Sequence, residues 1–363
     1  MINRRVTKKI FVGTVAVGGD APVSVQSMTN TFTKDISSTV RQIKNLEKLG
    51  CEIIRVAVPD MESAYALPEI IKRINIPLIA DIHFDYKLAI ESIKKGAKCV
   101  RINPGNIKNR TKLKEIILIS KDYNTSIRIG VNSGSLDFKI REKFKYNISE
   151  GLVLSAIEYI KFFEDNDFFN IKVSLKSTDI LTTVKAYEIF SVKSDYPLHI
   201  GITEAGTEFS GTIRSSIGIG YLLLKGIGDT LRVSLTAKPE KEVEVAKEIL
   251  NSLKIRQFGP TLISCPTCAR REIDVIQIAR KIQKQLKYIK SPLKIAVMGC
   301  EVNGPGEARD ADIGLAGSVN GGIIFKEGRV VKRITDMNKL LAEFIKEVYN
   351  LDKKRAGGEN EIH

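Results

Sequence analysis

The sequence predicts a (β/α)8 TIM-type barrel followed by a small α/β domain, and three observations carry that prediction. Eight apolar, strand-like runs alternate with amphipathic helical stretches; a glycine–proline break ends the alternation; and a C-x2-C pair with one further cysteine lies beyond the break. Strands that are each followed by a helix imply a parallel sheet, and eight such units over about 235 residues match a barrel in size and number. A doubly wound open sheet is the structural alternative, but no strand–GxGxxG–helix fingerprint supports a dinucleotide fold. The 363 residues are enough for two domains.

In order along the chain, Arg4, Arg5, Lys8 and Lys9 precede a run, 10–17, that mimics a secretory leader. That run is short, glycine-broken and alternating, so it reads as a β-hairpin. Barrel strands are expected at 23–29, 52–58, 77–83, 99–104, 126–132, 171–177, 197–204 and 230–236. Helices are expected at 36–49, 61–74, 86–95, 111–122, 152–166, 180–191, 210–224 and 240–253. The first domain is therefore 1–256. Residues 257–264, around Gly259-Pro260, form a linker. The second domain, 265–350, should carry a helix at 271–286, strands at 294–298, 312–315, 322–326 and 329–333, and a last helix at 337–349. A polar tail, 351–363, is expected to be mobile.

Several expected strands carry a base embedded in apolar residues: Arg55, Arg101, Arg128, Lys172 and Arg232. Barrel strands are buried on both sides, so a charge there should face the barrel axis. With period two, Asn103, Asn132, Ser174, Lys176 and Ser234 share that face. Asp81 and His83 share a face on one strand, and His199 and Thr203 on another. The evident acids among these bases are Asp81 and Glu204. Uncompensated buried cations are costly, but an excess is tolerable if the natural partner is a polyanion, and arginine suits phosphate. An internal ion-pair network would be the alternative. The first domain thus looks built for a small phosphorylated molecule at the carboxyl ends of the strands. His83 and His199 could equally be core histidines. Glu204, ending the seventh strand, is placed for proton transfer. Lys172 or Lys176 could instead be a Schiff-base lysine.

Beyond the break, Cys265 and Cys268 form the C-x2-C pair. Cys300 follows, then a Gly-Pro-Gly turn and the carboxylate of Glu307. Three thiols without a fourth argue against a closed structural zinc site and suit an iron–sulfur cluster with one unusual corner. Zinc and a redox dithiol stay open. Cys51 and Cys99 open apolar runs and read as buried structural thiols.

The net charge is +15. It is spread along a lysine- and isoleucine-rich chain without a compact basic tract, which argues against nucleic acid as the partner. No run approaches a membrane span, so no membrane role is expected. Unpaired cysteines favour a reducing, cytoplasmic setting.

Seven segments together resemble one bacterial family. They are Val25-Gln26-Ser27-Met28-Thr29, Ala80-Asp81-Ile82-His83, Arg101-Ile102-Asn103-Pro104-Gly105, Arg128-Ile129-Gly130-Val131-Asn132, Gly201-Ile202-Thr203-Glu204-Ala205-Gly206, Cys265-Pro266-Thr267-Cys268, and Gly299-Cys300-Glu301-Val302-Asn303-Gly304-Pro305-Gly306-Glu307. The family is the 4-hydroxy-3-methylbut-2-en-1-yl diphosphate synthases, in the compact form without the plant-type insert, and the resemblance covers residues 4 to about 350. It implies reductive opening of 2-C-methyl-D-erythritol 2,4-cyclodiphosphate through a 4Fe-4S cluster. Cys265, Cys268, Cys300 and Glu307 would be the cluster ligands by position. The barrel bases would hold the diphosphate and Glu204 would donate a proton. Reduced flavodoxin or ferredoxin would supply electrons, and the family works as a homodimer. A non-redox sugar-phosphate lyase or aldolase barrel with a zinc accessory domain is the competing enzyme reading. A nucleic-acid-binding module is a third, and it leaves the bases inside the strands unexplained.

Overall fold

A computed structural model describes residues 2–103, 105–107, 109–302 and 304–358. The expected hairpin is present as β1 (Ile10–Val12) and β2 (Val15–Val17), paired antiparallel. Eight parallel strands follow: β3 (Ser24–Met28), β4 (Ile53–Ala57), β5 (Leu78–Asp81), β6 (Cys99–Ile102), β7 (Ser126–Asn132), β8 (Ile171–Lys176), β9 (His199–Ile200) and β10 (Thr230–Leu231). Their order in the sheet is β8-β7-β6-β5-β4-β3-β10-β9. A parallel bridge between Val173 and Leu198 joins β8 to β9 and closes the ring. The fold is therefore the predicted TIM-type barrel.

The helices between the strands are α1 (Ile36–Lys48), α2 (Met61–Ile71), α3 (Tyr86–Lys94), α4 (Arg110–Asp122), α5 (Phe138–Lys143), α6 (Ile148–Glu164), α7 (Ile180–Lys193), α8 (Glu208–Leu224) and α9 (Pro239–Ser252). Short polar residues stop the preceding loop and cap several of them. Asp35 accepts from the Ser38 N–H, Asp60 from that of Ser63 and Asp179 from that of Thr182. Two departures from the sequence reading fall between β7 and α6. A single 3-10 turn, Ser133–Ser135, and the short α5, capped by Asp137, occupy a stretch for which no element was expected. Strands β9 and β10 are also shorter than expected. Glu204 and Gly206 take left-handed backbone, φ 51° and 113°, which ends an extended run. The Leu235 N–H is taken by the Glu242 carboxylate at 3.0 Å instead of a ladder carbonyl.

The ladder fixes which side chains face the axis. Met28 pairs with Arg55, Arg55 with Ile79, Asp81 with Arg101, Arg101 with Arg128, and Arg128 with Lys172. Paired residues in a parallel sheet share a face, so one continuous inward set runs around the barrel. At the amino end of the strands this set is uncharged. Ile53, Ile79 and Cys99 cluster with Ile10, Val12 and Val17 of the hairpin, which seals that end. Cys51 and Cys99 are buried, and burial pushes the Cys51 thiol up to about 12, so both behave as structural thiols.

The chain divides into two compact units at Arg256/Gln257. The second unit holds β11 (Thr261–Ser264), α10 (Val275–Leu286), β12 (Lys294–Met298), α11 (Gly304–Glu307), β13 (Ile313–Ser318), β14 (Gly321–Lys326), β15 (Arg329–Ile334) and α12 (Met337–Gly358). Its sheet is mixed: β11, β12 and β13 are parallel, and β13, β14 and β15 antiparallel. The linker is thus shorter than 257–264, because Thr261–Ser264 is an edge strand on β12. The run is too short and too exposed to show a strand period. Helix α10 starts at Val275, not 271, because Asp274 caps it through the Gln277 N–H and Glu272 bonds back to Gly299. Part of the supposed tail belongs to α12, which continues to Gly358; Asp352 bonds the Ser291 N–H at 2.9 Å and Ser291 Oγ donates to the Asp352 carbonyl. Residues 359–363 lie outside the described residues. Among the described residues no helix is long and apolar enough to cross a membrane.

Candidate functional site

The inward face changes character above the sealed end. Arg55, Arg101, Arg128, Lys172 and Lys176 are all buried there, with Asp81, Asn103, Ser174 and His199. The period-two reading of the strands is therefore correct for these positions. Asp81 is the hub. One oxygen stands 3.3 Å from Arg101 Nη1; the other is 3.7 Å from Arg55 Nη1 and 3.6 Å from His83 Nε2. Burial alone would raise the Asp81 carboxyl, but Arg55, the His83 hydrogen bond, Arg101 and Arg128 outweigh it and hold it well below the usual carboxylate range. His83 itself is exposed at the rim.

Gly130 makes the Arg101 position possible: a Cβ there would lie 2.5 Å from Arg101 Nε. In place of that methyl group, Arg101 Nη2 donates to the Gly130 carbonyl at 3.3 Å. Asn103 is fixed by donating to Ser135 Oγ at 2.8 Å and accepting from the Gly105 N–H at 3.1 Å. Its amide is thus engaged at both ends. Asn132 is half-buried beside it, and its carbonyl accepts from Ser135 Oγ.

One carboxylate cannot neutralise this set. Arg128 Nε and Nη1, Lys172 Nζ, Arg101 Nε and His199 Nε2 are buried without a hydrogen-bond partner among the described residues. Desolvation lowers the proton affinity of Arg55, Arg128, Lys172, Lys176 and His199. Burial, with Arg101 beside it, brings Arg128 down to about 10. It brings Lys172 to about 8, and holds Arg55, Lys176 and His199 well below their ordinary values. His199 Nδ1 meets Thr230 Oγ1 at 2.6 Å, which fixes the ring and aims Nε2 elsewhere.

The expected account of Arg232 needs correction. Its guanidinium is engaged by Glu242 of α9, with Nε and Nη2 both 3.2–3.3 Å from the carboxylate. The partner comes from a covering helix, whose first turn lies at the carboxyl ends of the strands, so scanning the strands alone missed it. Its signal was a glutamate in the first turn of an otherwise amphipathic helix. Ser234 is half-buried beyond Arg232. Glu204 does not join the ion pairs: its side chain is exposed in the β9–α8 loop. Its left-handed backbone, φ 51°, is strained for a residue with a Cβ, and such strain gathers at functional positions. Gln26 was also missed. It faces the axis, is buried, and leaves both amide atoms unpartnered. Its polarity at an inward position of an apolar strand was the available signal.

In the second unit, two predicted ligands leave neighbouring parallel strands. Cys265 follows β11, and its N–H donates to the Val297 carbonyl at 3.2 Å. Cys300 follows β12 and is buried. The Gly299 N–H points at Cys265 Sγ, 3.1 Å away. Cys268 is exposed, and hydrogen bonds from Arg270 draw its thiol below the ordinary value. Glu307 is exposed at the end of α11. Among the described residues, no three Cys, His, Asp or Glu side chains stand close enough together to hold a metal ion. Asn303 of this motif and Pro104 of the barrel lie outside the described residues.

These features define a TIM-barrel protein with a cationic axis and an appended cysteine-bearing α/β unit. Comparison places that combination. Residues 7–247 match the family described as GcpE TIM-barrel domain, and residues 261–350 match the GcpE protein C-terminal domain. A Caldicellulosiruptor saccharolyticus protein named 4-hydroxy-3-methylbut-2-en-1-yl diphosphate synthase (flavodoxin) is 54% identical over 347 residues, covering 96% of this chain and 99% of that one. Proteins of the same name from Thermodesulfovibrio yellowstonii and Clostridium perfringens are 53% and 51% identical, each over 95% of this chain and 100% and 99% of their own lengths. The chain belongs to the 4-hydroxy-3-methylbut-2-en-1-yl diphosphate synthase family, an oxidoreductase family of isoprenoid biosynthesis. The zinc-lyase and nucleic-acid readings are set aside by these relatives.

Proposed function

We propose that this chain catalyses the reaction its relatives are named for: reductive ring opening and dehydration of 2-C-methyl-D-erythritol 2,4-cyclodiphosphate to (E)-4-hydroxy-3-methylbut-2-enyl diphosphate. The conversion consumes two electrons and two protons and releases water. The observation that carries the reading, besides family membership, is the buried set of Arg55, Arg101, Arg128, Lys172 and Lys176 around the single carboxylate of Asp81. A cyclic diphosphate supplies the negative charge this set lacks. Asp81 orients Arg55 and Arg101, Glu242 orients Arg232, and His83, Asn103, Asn132, Ser174, His199 and Ser234 complete the binding wall. Glu204 is the proton donor at the mouth.

The second unit fits an iron–sulfur group by its donor chemistry. Soft thiolates leave adjacent strand ends, and tight backbone keeps side chains out: a Cβ on Gly317 would lie 2.7 Å from the Gly299 carbonyl. Cys265, Cys268 and Cys300 would hold a 4Fe-4S cluster, with Glu307 as an oxygen ligand. When bound, such a group supplies single electrons. Flavodoxin, which the relatives' names carry, is the donor; ferredoxin is the alternative.

The working form is a homodimer in the cytoplasm. A run of exposed apolar residues on α8, Phe209, Ile213, Ile217, Tyr221 and Leu224, supports self-association. Its spacing of four, four, four and three puts all five on one helix face. Mixing inactive Glu204→Ala and Cys300→Ser chains should restore activity in the hybrid if the two units act across chains.

The direct test is anaerobic turnover followed by phosphorus NMR, with reduced flavodoxin and, separately, a chemical reductant. The cyclic diphosphate signals should give way to those of a linear diphosphate. Protein carrying iron and sulfide that leaves the substrate untouched with both reductants would overturn the reading. Colourless protein that binds zinc and resists cluster reconstitution would do the same.

A further inference from the structure

The two helices that cover the second unit differ in the acids they offer to neighbouring cations. On the α12 side the cations of the facing strands are neutralised within the fold. Lys326 meets Glu347 at 2.7 Å, Lys332 meets Glu343 and Glu347 at 3.0 and 2.8 Å, and Arg333 meets Glu301 at 2.8 Å. On α10 itself, Arg280, Lys281 and Lys284 have no such partner among the described residues. Between Asp274 and Glu301 the chain has no acidic residue, while Arg280, Lys281, Lys284, Lys287, Lys290 and Lys294 fall in that interval.

Helix α10 buries Val275, Ile278, Ile282 and Leu286. At 100° per residue, Arg280 and Lys284 then stand at the centre of the outward face, with Lys281 at its flank. All three are exposed, and none forms an ion pair among the described residues. Two exposed apolar side chains share this side, Ile276 at 51% and Tyr288 at 72%. A basic field around an apolar contact is the composition of a transient docking surface, not only of a solvated helix. Its location matters as much. The helix begins seven positions after Cys268, and exposed Arg270 and Arg271 stand next to that cysteine, with the exposed Glu272 and Asp274 between them and the helix. From Val275 to Lys284 the helix advances about 14 Å, so one small-protein footprint spans the whole patch.

We infer that the outward face of α10, centred on Arg280 and Lys284 with Ile276 and Tyr288, is where an acidic electron-carrier protein docks. The inference rests on the proposed reductive function and deepens it by placing the donor. Charge complementarity selects the occupant: flavodoxins are strongly acidic, and this face groups Arg280, Lys281 and Lys284 without an ion pair among the described residues.

The test uses the full chain, loaded anaerobically, and a bacterial flavodoxin. Arg280→Glu with Lys284→Glu is compared with Lys114→Glu with Lys121→Glu on α4, an identical charge change on the other unit. Flavodoxin affinity should fall about tenfold or more in the α10 variant, and its dependence on salt should flatten. Affinity should hold in the α4 variant, and turnover with reduced methyl viologen should hold in both. An α10 variant that binds flavodoxin within twofold of the parent would overturn the inference. So would an α4 variant that weakens binding equally, since net charge alone would then be responsible. If no reductant supports turnover in any form, the proposed function fails, while the binding comparison still decides the docking face.

Discussion

In the second unit Ile295, Val297, Ile313, Leu315, Leu340 and Phe344 close on one another, and Ser291 is the one buried polar side chain among its described residues. Along the barrel axis the buried residues include three arginines and two lysines. One interior is an ordinary hydrophobic core, stabilised by apolar area removed from water. The other holds desolvated cations that oppose folding unless something anionic joins them. The barrel can carry that burden because its outer layer and its hairpin-sealed floor are themselves apolar. On the proposed function, the axis is kept for binding and the second unit's core for rigidity.

The largest effect expected on this contrast is catalytic. Arg128→Met removes a buried guanidinium that the proposed function assigns to the substrate, and truncating one partner of such a charged pair costs about 2–5 kcal/mol. Its kcat/KM should fall on the order of a hundredfold or more, while its melting temperature holds or rises. A variant that lost stability and kept kcat/KM would show Arg128 to be structural.

The second unit should respond in the opposite sense. A Cβ on Gly314 would lie 2.0 Å from Phe325 Cζ. Gly314→Ala should therefore destabilise that unit by about 1–3 kcal/mol through overpacking, read as a lower midpoint in urea.

Lys172→Met sharpens the comparison, because its two readouts should part. Replacing a buried, unpartnered ammonium with an apolar chain should stabilise the protein by about 1–3 kcal/mol and weaken diphosphate binding. The pH dependence follows from the folded value near 8, lowered by burial. Below about 8 folded and unfolded chains both hold the proton, and the burial penalty is present in full. Between about 8 and the unfolded lysine value of ~10.4, unfolding takes up a proton, so stability rises with pH. In Lys172→Met this rise should shrink in denaturant melts across that window. An unchanged slope would assign it to another group.

The smallest effect belongs to the outer face of the second unit. Lys332→Ala breaks two part-buried ion pairs at the surface. It should leave the melting temperature nearly unchanged and the salt dependence slightly weaker.

Most of the barrel was legible because its strands are long apolar runs. Strand β7, 126–132, and β12, 294–298, match residue for residue. The inward bases were legible for the same reason, since a charge in a strand buried on both sides has one place to go. What escaped depended on tertiary partners. Glu242 lies on a helix and finds Arg232 only once the barrel closes. Gln26 sits within a quoted motif, and nothing in one strand says that its neighbours leave it unpartnered. The edge strand β11 is four residues long, too short for a period, and its existence depends on β12. The C-x2-C spacing marked Cys265 and Cys268, but spacing does not say how far Glu307 stands from them.

The most direct test of the cationic axis is calorimetric titration of the unreduced, anaerobic protein with the cyclodiphosphate at neutral pH, for the parent and Lys172→Met. The account predicts saturable binding to the parent, at least tenfold weaker binding to the variant, and a higher melting temperature for the unliganded variant. Equal affinity in the two proteins, or a variant that melts lower, would contradict the claim that the axis holds its buried charge for an anionic substrate.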